Sequence, residues 1–317
     1  MITKLTVPLR DLRLAVHAAG EGPAVVLCHG FPDLAYGWRH LMPALAAAGY
    51  RALAPDQRGY GLTGGPPAVE AYDIHHLTGD LVGLLDALGV ERAILVGHDW
   101  GGSVAWMTAL LHPMRVAGVI GVNTPHYPRP SSAPIERLRA MFGDSYYMVA
   151  VQGSDAIDRA LAADVRRTFV QIARTGVPPD ETLGGWLGPD GRMRTMVEFV
   201  AGPPMPGAPL LSEADLSVYV DAFTSTGFTG GLNWYRNLDR NWATTPHLTG
   251  ARITAPALMV TAEWDVLLPP AAADRMRPLV PDLETVMIPR CGHWTPQERP
   301  AELAALVVGW LGRRFAR

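Results

Sequence analysis

Asp99 is the residue whose surroundings in this sequence best suit nucleophilic chemistry. It follows the short apolar, β-branched run 94–96 and stands between Gly97 and Gly101, after which small and apolar residues predict a helix. A strand, a sharp turn and a helix form the setting of the Gly-x-Ser-x-Gly nucleophile turn, here with aspartate in the place of serine. The glycines leave room for the turn, and the start of the helix stabilises negative charge. An aspartate that only caps the helix is the alternative interpretation.

Two more reactive side chains follow predicted strands near the end of the chain. Asp265 stands just after the apolar run 257–262, and His293 follows the strand predicted over 284–288. Taken singly, Asp265 is typical of a helix cap and His293 of an ordinary loop. Because the carboxyl ends of parallel strands lie along one sheet edge, we expect both residues to lie near Asp99. The chain order of nucleophile, acid and histidine is that of a hydrolytic triad.

A carboxylate nucleophile indicates a particular kind of hydrolysis. Attack by Asp99 on a saturated carbon leaves an ester, which water can cleave, whereas attack by a serine would leave an ether. His293, oriented by Asp265, would then take a proton from the water that attacks the ester carbonyl. The residue types therefore favour a hydrolase that acts at a saturated carbon and exclude a serine esterase.

The elements that must position these residues alternate between strand and helix. This order predicts an α/β fold with a parallel, doubly wound sheet. The same rhythm resumes at Pro256 with two further strands, a helix near 271–276 and a final helix over 301–315. The strands predicted before that point are residues 3–9, 12–18, 24–28, 51–54, 94–96 and 116–122.

Between the two α/β stretches, residues 126–246 have no buried-strand pattern. Helices are predicted there, over 155–175 and 213–223 among others, with proline- and glycine-rich loops between them. We therefore expect a core domain formed by residues 1–125 and 247–317, interrupted by a helical insertion over 126–246. An insertion at the carboxyl edge of a parallel sheet lies over the ligand crevice.

Two loops after core strands carry further polar groups. The loop at residues 29–32, His-Gly-Phe-Pro, comes directly after a strand, where a glycine and a proline can turn backbone amides toward a ligand. In the glycine-rich turn after the next strand, Asp56 and Arg58 are predicted to form a structural ion pair rather than to take part in catalysis.

The composition limits the classes of partner. The chain has 317 residues, of which 48% are apolar and 18% charged, enough for a sizeable core. A net charge of −3 gives no sign of the excess positive charge that binds nucleic acid or a membrane surface. The two cysteines show neither a disulfide framework nor metal-ligand spacing, and no secretory or membrane-spanning segment is seen. We expect a soluble cytoplasmic protein without metal or cofactor, and the choice between monomer and homodimer stays open.

Several motifs resemble those of soluble epoxide hydrolases of the α/β-hydrolase fold. They are Gly-His-Asp-Trp-Gly-Gly at 97–102, His-Gly-Phe-Pro at 29–32, Cys-Gly-His-Trp at 291–294 and Gly-Leu-Asn-Trp-Tyr-Arg-Asn at 231–237. The resemblance extends over almost the whole chain, and the helical insertion matches that family's cap domain. It implies the conversion of lipophilic epoxides to vicinal diols, with a small epoxide and water as partners and no cofactor.

The resemblance also implies roles for residues outside the triad. Tyr235, in the motif at 231–237, would activate the epoxide oxygen. A second tyrosine belongs to a Tyr-x-x-x-x-Gln segment, which Tyr147 fits, with Tyr146 as the neighbouring candidate. The backbone N–H groups of Phe31 and Trp100 would form the oxyanion hole.

An apolar substrate site is indicated by large side chains that could equally belong to the core. Trp38, Trp234 and Met148 are our candidates for its wall. His126 is a further candidate, because an apolar residue is more usual at that point of the family's motif, and it changes the expected shape of the pocket.

Haloalkane dehalogenase is the alternative function, because it uses the same triad and a tryptophan beside the nucleophile, as Trp100 is here. It leaves the paired tyrosines unexplained, and its oxyanion loop usually has asparagine where this chain has Phe31. A haloacetate dehalogenase would need arginines for its carboxylate substrate at the positions that Trp100 and Ser103 occupy here. A catalytically inactive binding protein of this fold would normally lack a triad member, and none is missing here.

Overall fold

A single sheet of eight strands runs through the computed structural model, which describes residues 1–188 and 191–315. Its strand order is β1-β2-β4-β3-β5-β6-β7-β8. The β1–β2 and β2–β4 pairs are antiparallel, and every other pair is parallel, which confirms the predicted mostly parallel α/β fold. The strands are β1 (Thr3–Pro8), β2 (Arg13–Ala19), β3 (Ala24–Cys28), β4 (Arg51–Pro55), β5 (Ala93–His98), β6 (Val116–Val122), β7 (Ala257–Ala262) and β8 (Leu283–Ile288).

Helices cover both faces of the sheet, so its central strands are wholly buried and mostly apolar. The helices α2 and α3 pack on one face, and α1 and α14 pack on the other. The predicted helix near 271–276 is instead a 3-10 turn over Pro270–Met276. The core helices are α1 (Leu41–Ala47), α2 (Ile74–Ala87), α3 (Trp100–Leu111), α13 (Thr295–Glu298) and α14 (Pro300–Arg314).

The helical insertion contains short helices and, within its described residues, isolated bridges but no strand. The stretch predicted as one helix over 155–175 is broken, because Asp164 adopts an extended conformation and its carboxylate accepts a hydrogen bond from the N–H of Arg167. The helices are α4 (Pro134–Phe142), α5 (Tyr147–Ala150), α6 (Ala156–Ala163), α7 (Val165–Ile172), α8 (Pro179–Trp186), α9 (Met196–Ala201), α10 (Glu213–Thr226), α11 (Thr229–Arg236) and α12 (Leu238–Thr244).

Buried polar contacts attach the helical insertion to the core loops. The hydroxyl of Tyr219 in α10 donates to Asp33 at 2.7 Å, just after the loop at 29–32. The indole N–H of Trp234 in α11 donates to the carbonyl of Arg58 at 3.1 Å. These contacts fix α10 and α11 above the carboxyl edge of the sheet.

The predicted ion pair between Asp56 and Arg58 is wrong. The Arg58 guanidinium pairs with Asp80 of α2 at 2.6 Å and with Asp11 at 2.7 Å. Asp56 instead accepts hydrogen bonds from the backbone N–H groups of Ala35 and Leu62. The Arg58 side chain turns away from Asp56 because Asp80 of α2 and Asp11, between β1 and β2, satisfy its donors together.

Among the helices of the described chain, none has the length and apolar character required to span a bilayer.

Candidate active site

Asp99 stands at a strained turn between β5 and α3. Its backbone has φ 52° and ψ −125°, a conformation that a non-glycine residue rarely adopts. Hydrogen bonds to its carbonyl hold the turn, one from the Thr124 hydroxyl at 2.8 Å and one from the N–H of Gly102 at 2.9 Å. Close packing needs glycine at position 101, because a Cβ there would lie 2.0 Å from the carbonyl oxygen of Cys28. The turn therefore presents the Asp99 side chain beyond the sheet edge.

The two oxygens of the Asp99 carboxylate have different partners. Oδ1 accepts a hydrogen bond from the N–H of Phe31 at 2.7 Å, and the N–H of Trp100, the next residue along the chain, helps to lower the pKa of the carboxylate. Oδ2 lies 3.7 Å from Nε2 of His293. The loop at 29–32 can approach Asp99 so closely only because residue 30 is glycine. A Cβ at that position would lie 2.3 Å from the Asp99 side chain. Burial raises the pKa of Asp99, while the His293 charge and the two N–H groups oppose that rise.

His293 is oriented by Asp265. Its Nδ1 lies 2.9 Å from Oδ2 of Asp265, so Nδ1 carries the proton and Nε2 faces Asp99. Asp265 is buried, and its Oδ1 accepts from the N–H groups of Leu267 and Leu268, each at 3.0 Å. Burial would raise the pKa of Asp265, but the neighbouring His293 and several hydrogen bonds hold it below its usual range. Burial likewise opposes charge on His293, yet the carboxylates of Asp265 and Asp99 raise its pKa to about 9.

Asn123 is a residue of this site that sequence reasoning missed. Its Nδ2 donates to Oδ2 of Asp265 at 2.8 Å and to the carbonyl of Gly292 at 3.3 Å. It directly follows β6 and has φ 64°, a conformation that asparagine tolerates better than most residues. A polar residue at the end of a strand that neighbours both β5 and β7 was the signal that could have found it.

Two tyrosines of the helical insertion face this edge. The rings of Tyr147 and Tyr235 have centroids 5.5 Å apart, and the Tyr235 ring packs 5.0 Å from Trp100 and 5.5 Å from Phe31. Burial, reinforced by the negative charge of Asp99, raises the pKa of both tyrosines well above 10, so both hydroxyls keep their protons.

Two cavities meet at these residues. The larger has a volume of about 640 Å³ and the smaller about 160 Å³, and both are lined by Asp99, Tyr147 and Tyr235. Tyr146 lines the larger cavity but is absent from the smaller one as the described residues form it. Tyr147 is therefore the better placed of the two neighbouring candidates.

The predicted substrate-binding residues fall into two groups. Met148 and His126 line the larger cavity. Trp38 and Trp234 line neither cavity of the described chain, so their prediction is corrected. Trp38 is 1% exposed in the core on the α1 and α14 face of the sheet, and Trp234 packs behind Trp100 with its ring 5.9 Å away. Both tryptophans therefore fill the protein interior and do not form a cavity wall.

Within residues 1–188 and 191–315, His, Cys, Asp and Glu side chains do not come together in any group of three that could hold a metal ion.

Known proteins resemble the chain over its length. A family model of the alpha/beta hydrolase fold matches residues 23–156. Epoxide hydrolase A of Mycobacterium tuberculosis is 44% identical, over 98% of this chain and 97% of that protein. Bifunctional epoxide hydrolase 2 of Sus scrofa is 40% identical over 95% of this chain, which spans about half (53%) of that longer protein. The crystal structure of epoxide hydrolase A from Mycobacterium thermoresistibile superimposes with a TM-score of 0.89 at 42% identity, covering 98% of both chains.

Proposed function

Since this chain belongs to the epoxide hydrolases of the α/β-hydrolase fold, we propose that Asp99, His293 and Asp265 hydrolyse lipophilic epoxides through a covalent ester, with Tyr147 and Tyr235 as acids. The observation that carries this proposal is that the two oxygens of the Asp99 carboxylate have different partners. One oxygen accepts a hydrogen bond from the backbone N–H of Phe31, and the other lies near His293 in a cavity that both tyrosines line.

In the first half-reaction, Oδ2 of Asp99 attacks a ring carbon and the carbon–oxygen bond of the epoxide breaks. The oxygen that leaves is an alkoxide, nearly as basic as hydroxide, whose conjugate acid water has a pKa of ~15.7. Tyr147 and Tyr235 keep their protons because burial raises the pKa of each hydroxyl. They can therefore donate hydrogen bonds and a proton to that oxygen as charge develops.

Ester formation changes the protonation of His293. The charge of Asp99 is one cause that raises the pKa of His293 to about 9, and the ester is neutral. Its pKa therefore falls when the ester forms, and the ring becomes available as a base. Esterification thus prepares the second half-reaction.

In the second half-reaction, His293 takes a proton from water, which attacks the carboxyl carbon of the Asp99 ester. Negative charge develops on Oδ1, which already accepts a hydrogen bond from the N–H of Phe31, and the N–H of Trp100 also acts on this carboxyl group. One such donor is worth roughly 3–4 kcal/mol in comparable sites. The bond from the carboxyl carbon to Oδ2 then breaks, and Oδ2 takes the proton that His293 removed from water. Oδ2 therefore leaves with the diol, and the oxygen of water stays on Asp99.

The helical insertion, residues 126–246, acts as a cap in this scheme. It supplies both tyrosines and much of the apolar wall of the larger cavity, while the core of residues 1–125 and 247–317 supplies the triad and the oxyanion donors. The apolar wall supports lipophilic epoxides as the substrate class.

Dehalogenation fits the arrangement less well. The Trp100 ring lies edge-on to the Tyr235 ring, with centroids 5.0 Å apart, so the tryptophan beside the nucleophile contacts a tyrosine that a dehalogenase would not need. A halide also needs no proton, so two buried tyrosine hydroxyls at the nucleophile would have no task.

A single turnover in H₂¹⁸O tests the covalent step, with enzyme in excess over a lipophilic epoxide. We expect unlabelled diol from the first turnover, because its new oxygen comes from Asp99, and labelled Asp99 in the recovered protein. Mass spectrometry of the diol and of the peptide that contains Asp99 measures both. Multiple turnovers serve as the control and should give labelled diol, whereas label in the first-turnover diol would rule out the ester.

A further inference from the structure

Side chains from several elements hold the backbone on both sides of His293. The carbonyl of Gly292, the residue before it, accepts hydrogen bonds from Nδ2 of Asn123 and from the Thr295 hydroxyl, each at 3.3 Å. The carbonyl of His293 itself accepts a hydrogen bond from Nε2 of His98 at 2.7 Å. These contacts fix the two carbonyl groups of the loop and leave the partner of the Gly292 N–H to be identified.

Glu298, at the end of α13, binds that N–H. Its Oε2 accepts a hydrogen bond from the N–H of Gly292 at 2.9 Å and a second one from the N–H of Gly176 at 3.1 Å. Gly176 belongs to the helical insertion, where it lies between α7 and α8. A single carboxylate oxygen therefore joins the loop of His293 to the insertion.

The same two segments also touch backbone to backbone. A Cβ at residue 176 would lie 2.4 Å from the nitrogen of Gly292, and a Cβ at residue 292 would lie 2.6 Å from the Cα of Gly176. On the other side of His293, the indole N–H of Trp294 donates to the carbonyl of Ile172 at 2.7 Å. Both sequence neighbours of His293 are thus bound to residues 172–176 of the insertion.

The position of this loop matters for one half-reaction. Nε2 of His293 lies 3.7 Å from Oδ2 of Asp99, a distance that is too long for a direct hydrogen bond. In the second half-reaction Nε2 must come within hydrogen-bond reach of the water that attacks the ester, because a base has to reach the proton that it takes. Ring opening makes no such demand on His293, since it needs only the carboxylate and an acid.

We propose that Glu298 is a positioning residue for ester hydrolysis: by holding the N–H of Gly292 against the insertion, its carboxylate aligns Nε2 of His293 with the hydrolytic water. This inference rests on the proposed function, because it concerns one of the two proposed steps. A single oxygen of Glu298 accepts both N–H groups. The reach of the side chain therefore matters more than its charge.

Two variants separate the reach of Glu298 from its charge. Glu298→Gln keeps an acceptor oxygen at the same distance and loses the charge, whereas Glu298→Asp keeps the charge and is one methylene shorter. We expect Glu298→Asp to slow ester decay about tenfold, as for the loss of a hydrogen bond to a charged group, and Glu298→Gln to stay within about threefold of the wild type. Ester formation should be unchanged in both. Rapid quenching followed by intact-protein mass spectrometry measures the two rates.

Glu302→Ala is the matched control, because Glu302 lies nearby on α14 and pairs with Arg299 at 3.3 Å. It should leave both rates unchanged, and thermal unfolding shows whether each variant is folded. The acid limb of ester decay in Glu298→Gln should keep its wild-type pH. A shifted limb, or slower decay in Glu298→Gln than in Glu298→Asp, would show that Glu298 acts through its charge and would overturn the proposal. Equal slowing of formation and decay would overturn it too.

The wild-type protein in the same experiment distinguishes the two levels of failure. If it forms an ester that both Glu298 variants hydrolyse at the wild-type rate, the positioning role is overturned and the ester mechanism stands. If it converts the epoxide to diol without passing through an ester on Asp99, the proposed function fails, and this inference fails with it.

Discussion

The sheet edge and the helical insertion hold their reactive side chains by different means. Asp99, His293 and Asp265 follow β5, β8 and β7 within five residues, and β7 pairs with β8 in continuous register. Main-chain hydrogen bonds of the sheet thus fix the backbone position from which each of these side chains extends. Tyr147 instead begins α5, a helix of four residues, and Tyr235 lies next to the end of α11.

Side-chain contacts replace the sheet as the frame for the two tyrosines. Nε2 of Gln152 donates to the carbonyl of Tyr235 at 2.8 Å and to that of Met148 at 2.9 Å, which ties α5 to α11. Arg236 pairs with Asp158 of α6 at 2.6 Å, and both side chains are largely buried. The positions of Tyr147 and Tyr235 therefore depend on a few individual bonds.

This difference predicts two half-reactions that can be disturbed separately. Groups at the sheet edge act on the ester carbonyl, and groups of the helical insertion act on the epoxide oxygen. Edge variants other than those of Asp99, which itself forms the ester, should slow ester hydrolysis, and variants in the insertion should slow ester formation.

His293→Gln is expected to have the largest effect on turnover, a loss of about 10⁴-fold or more, as for the base of a hydrolytic triad. Ring opening needs the carboxylate and an acid, so the ester should still form and then persist. The intact-protein mass, increased by that of the epoxide, measures its accumulation and decay. Asp265→Ala should slow the same step less. An absence of adduct with an epoxide that the wild-type enzyme opens would give His293 a role in ring opening instead.

Tyr235→Phe and Tyr147→Phe are expected to slow ester formation by about 10²–10⁴-fold each, the range typical of general acids. Each variant keeps one hydroxyl on the epoxide oxygen, so the double variant should form no detectable ester although it folds normally. Rapid quenching followed by intact-protein mass spectrometry measures the rate, and decay of the ester in each single variant should be close to that of the wild type.

Tyr146→Phe is the matched control for the tyrosine pair, because Tyr146 lines the larger cavity beside Tyr147. It should leave ester formation within a few-fold of the wild-type rate. Near-normal ring opening by the Tyr147 and Tyr235 double variant would show that both residues only pack within the helical insertion. Trp100 would then again be a candidate halide-binding residue.

The same contrast explains what could be predicted from the sequence. Strands can be predicted from apolar runs, and residues that follow parallel strands lie at one edge of the sheet. The sequence alone therefore predicts that Asp99, Asp265 and His293 lie close together. Helices of the insertion have no such common edge. Tyr147 and Tyr235 were paired only through resemblance to a family, and nothing in their spacing joins them.

Side-chain partners were the weakest part of the prediction. Arg58 pairs with Asp80 and Asp11 rather than with its sequence neighbour Asp56, because its partners are set by how α2 packs. The prediction of Trp38 as a pocket residue is wrong because core and pocket aromatic side chains cannot be distinguished in a sequence. Packing decides both cases, and packing depends on residues far apart in the chain.

Asn123→Ala is expected to slow ester hydrolysis about tenfold, through the loss of one hydrogen bond to a charged group. The amide of Asn123 is one cause of the lowered pKa of Asp265, so that pKa rises when the amide is removed. Asp265 is then protonated at a higher pH, and the acid limb of ester hydrolysis should shift to higher pH. The pH dependence of ester decay measures this shift. An unchanged limb, or slower ester formation, would show that Asn123 has only a structural role.

Gln152→Ala is expected to have the smallest effect, a three- to tenfold loss in the rate of ester formation, as for neutral hydrogen bonds. Its amide touches neither the nucleophile nor the described triad, but it joins α5 to α11 and so sets the distance between the two tyrosine hydroxyls. Gln152→Glu should be at least as slow, because a carboxylate cannot donate to two carbonyls. A double-mutant cycle gives the decisive measurement. If Gln152 acts by placing Tyr147, its removal should cost little once Tyr147 is Phe, whereas additive losses, or slower ester hydrolysis, would contradict the division between edge and insertion.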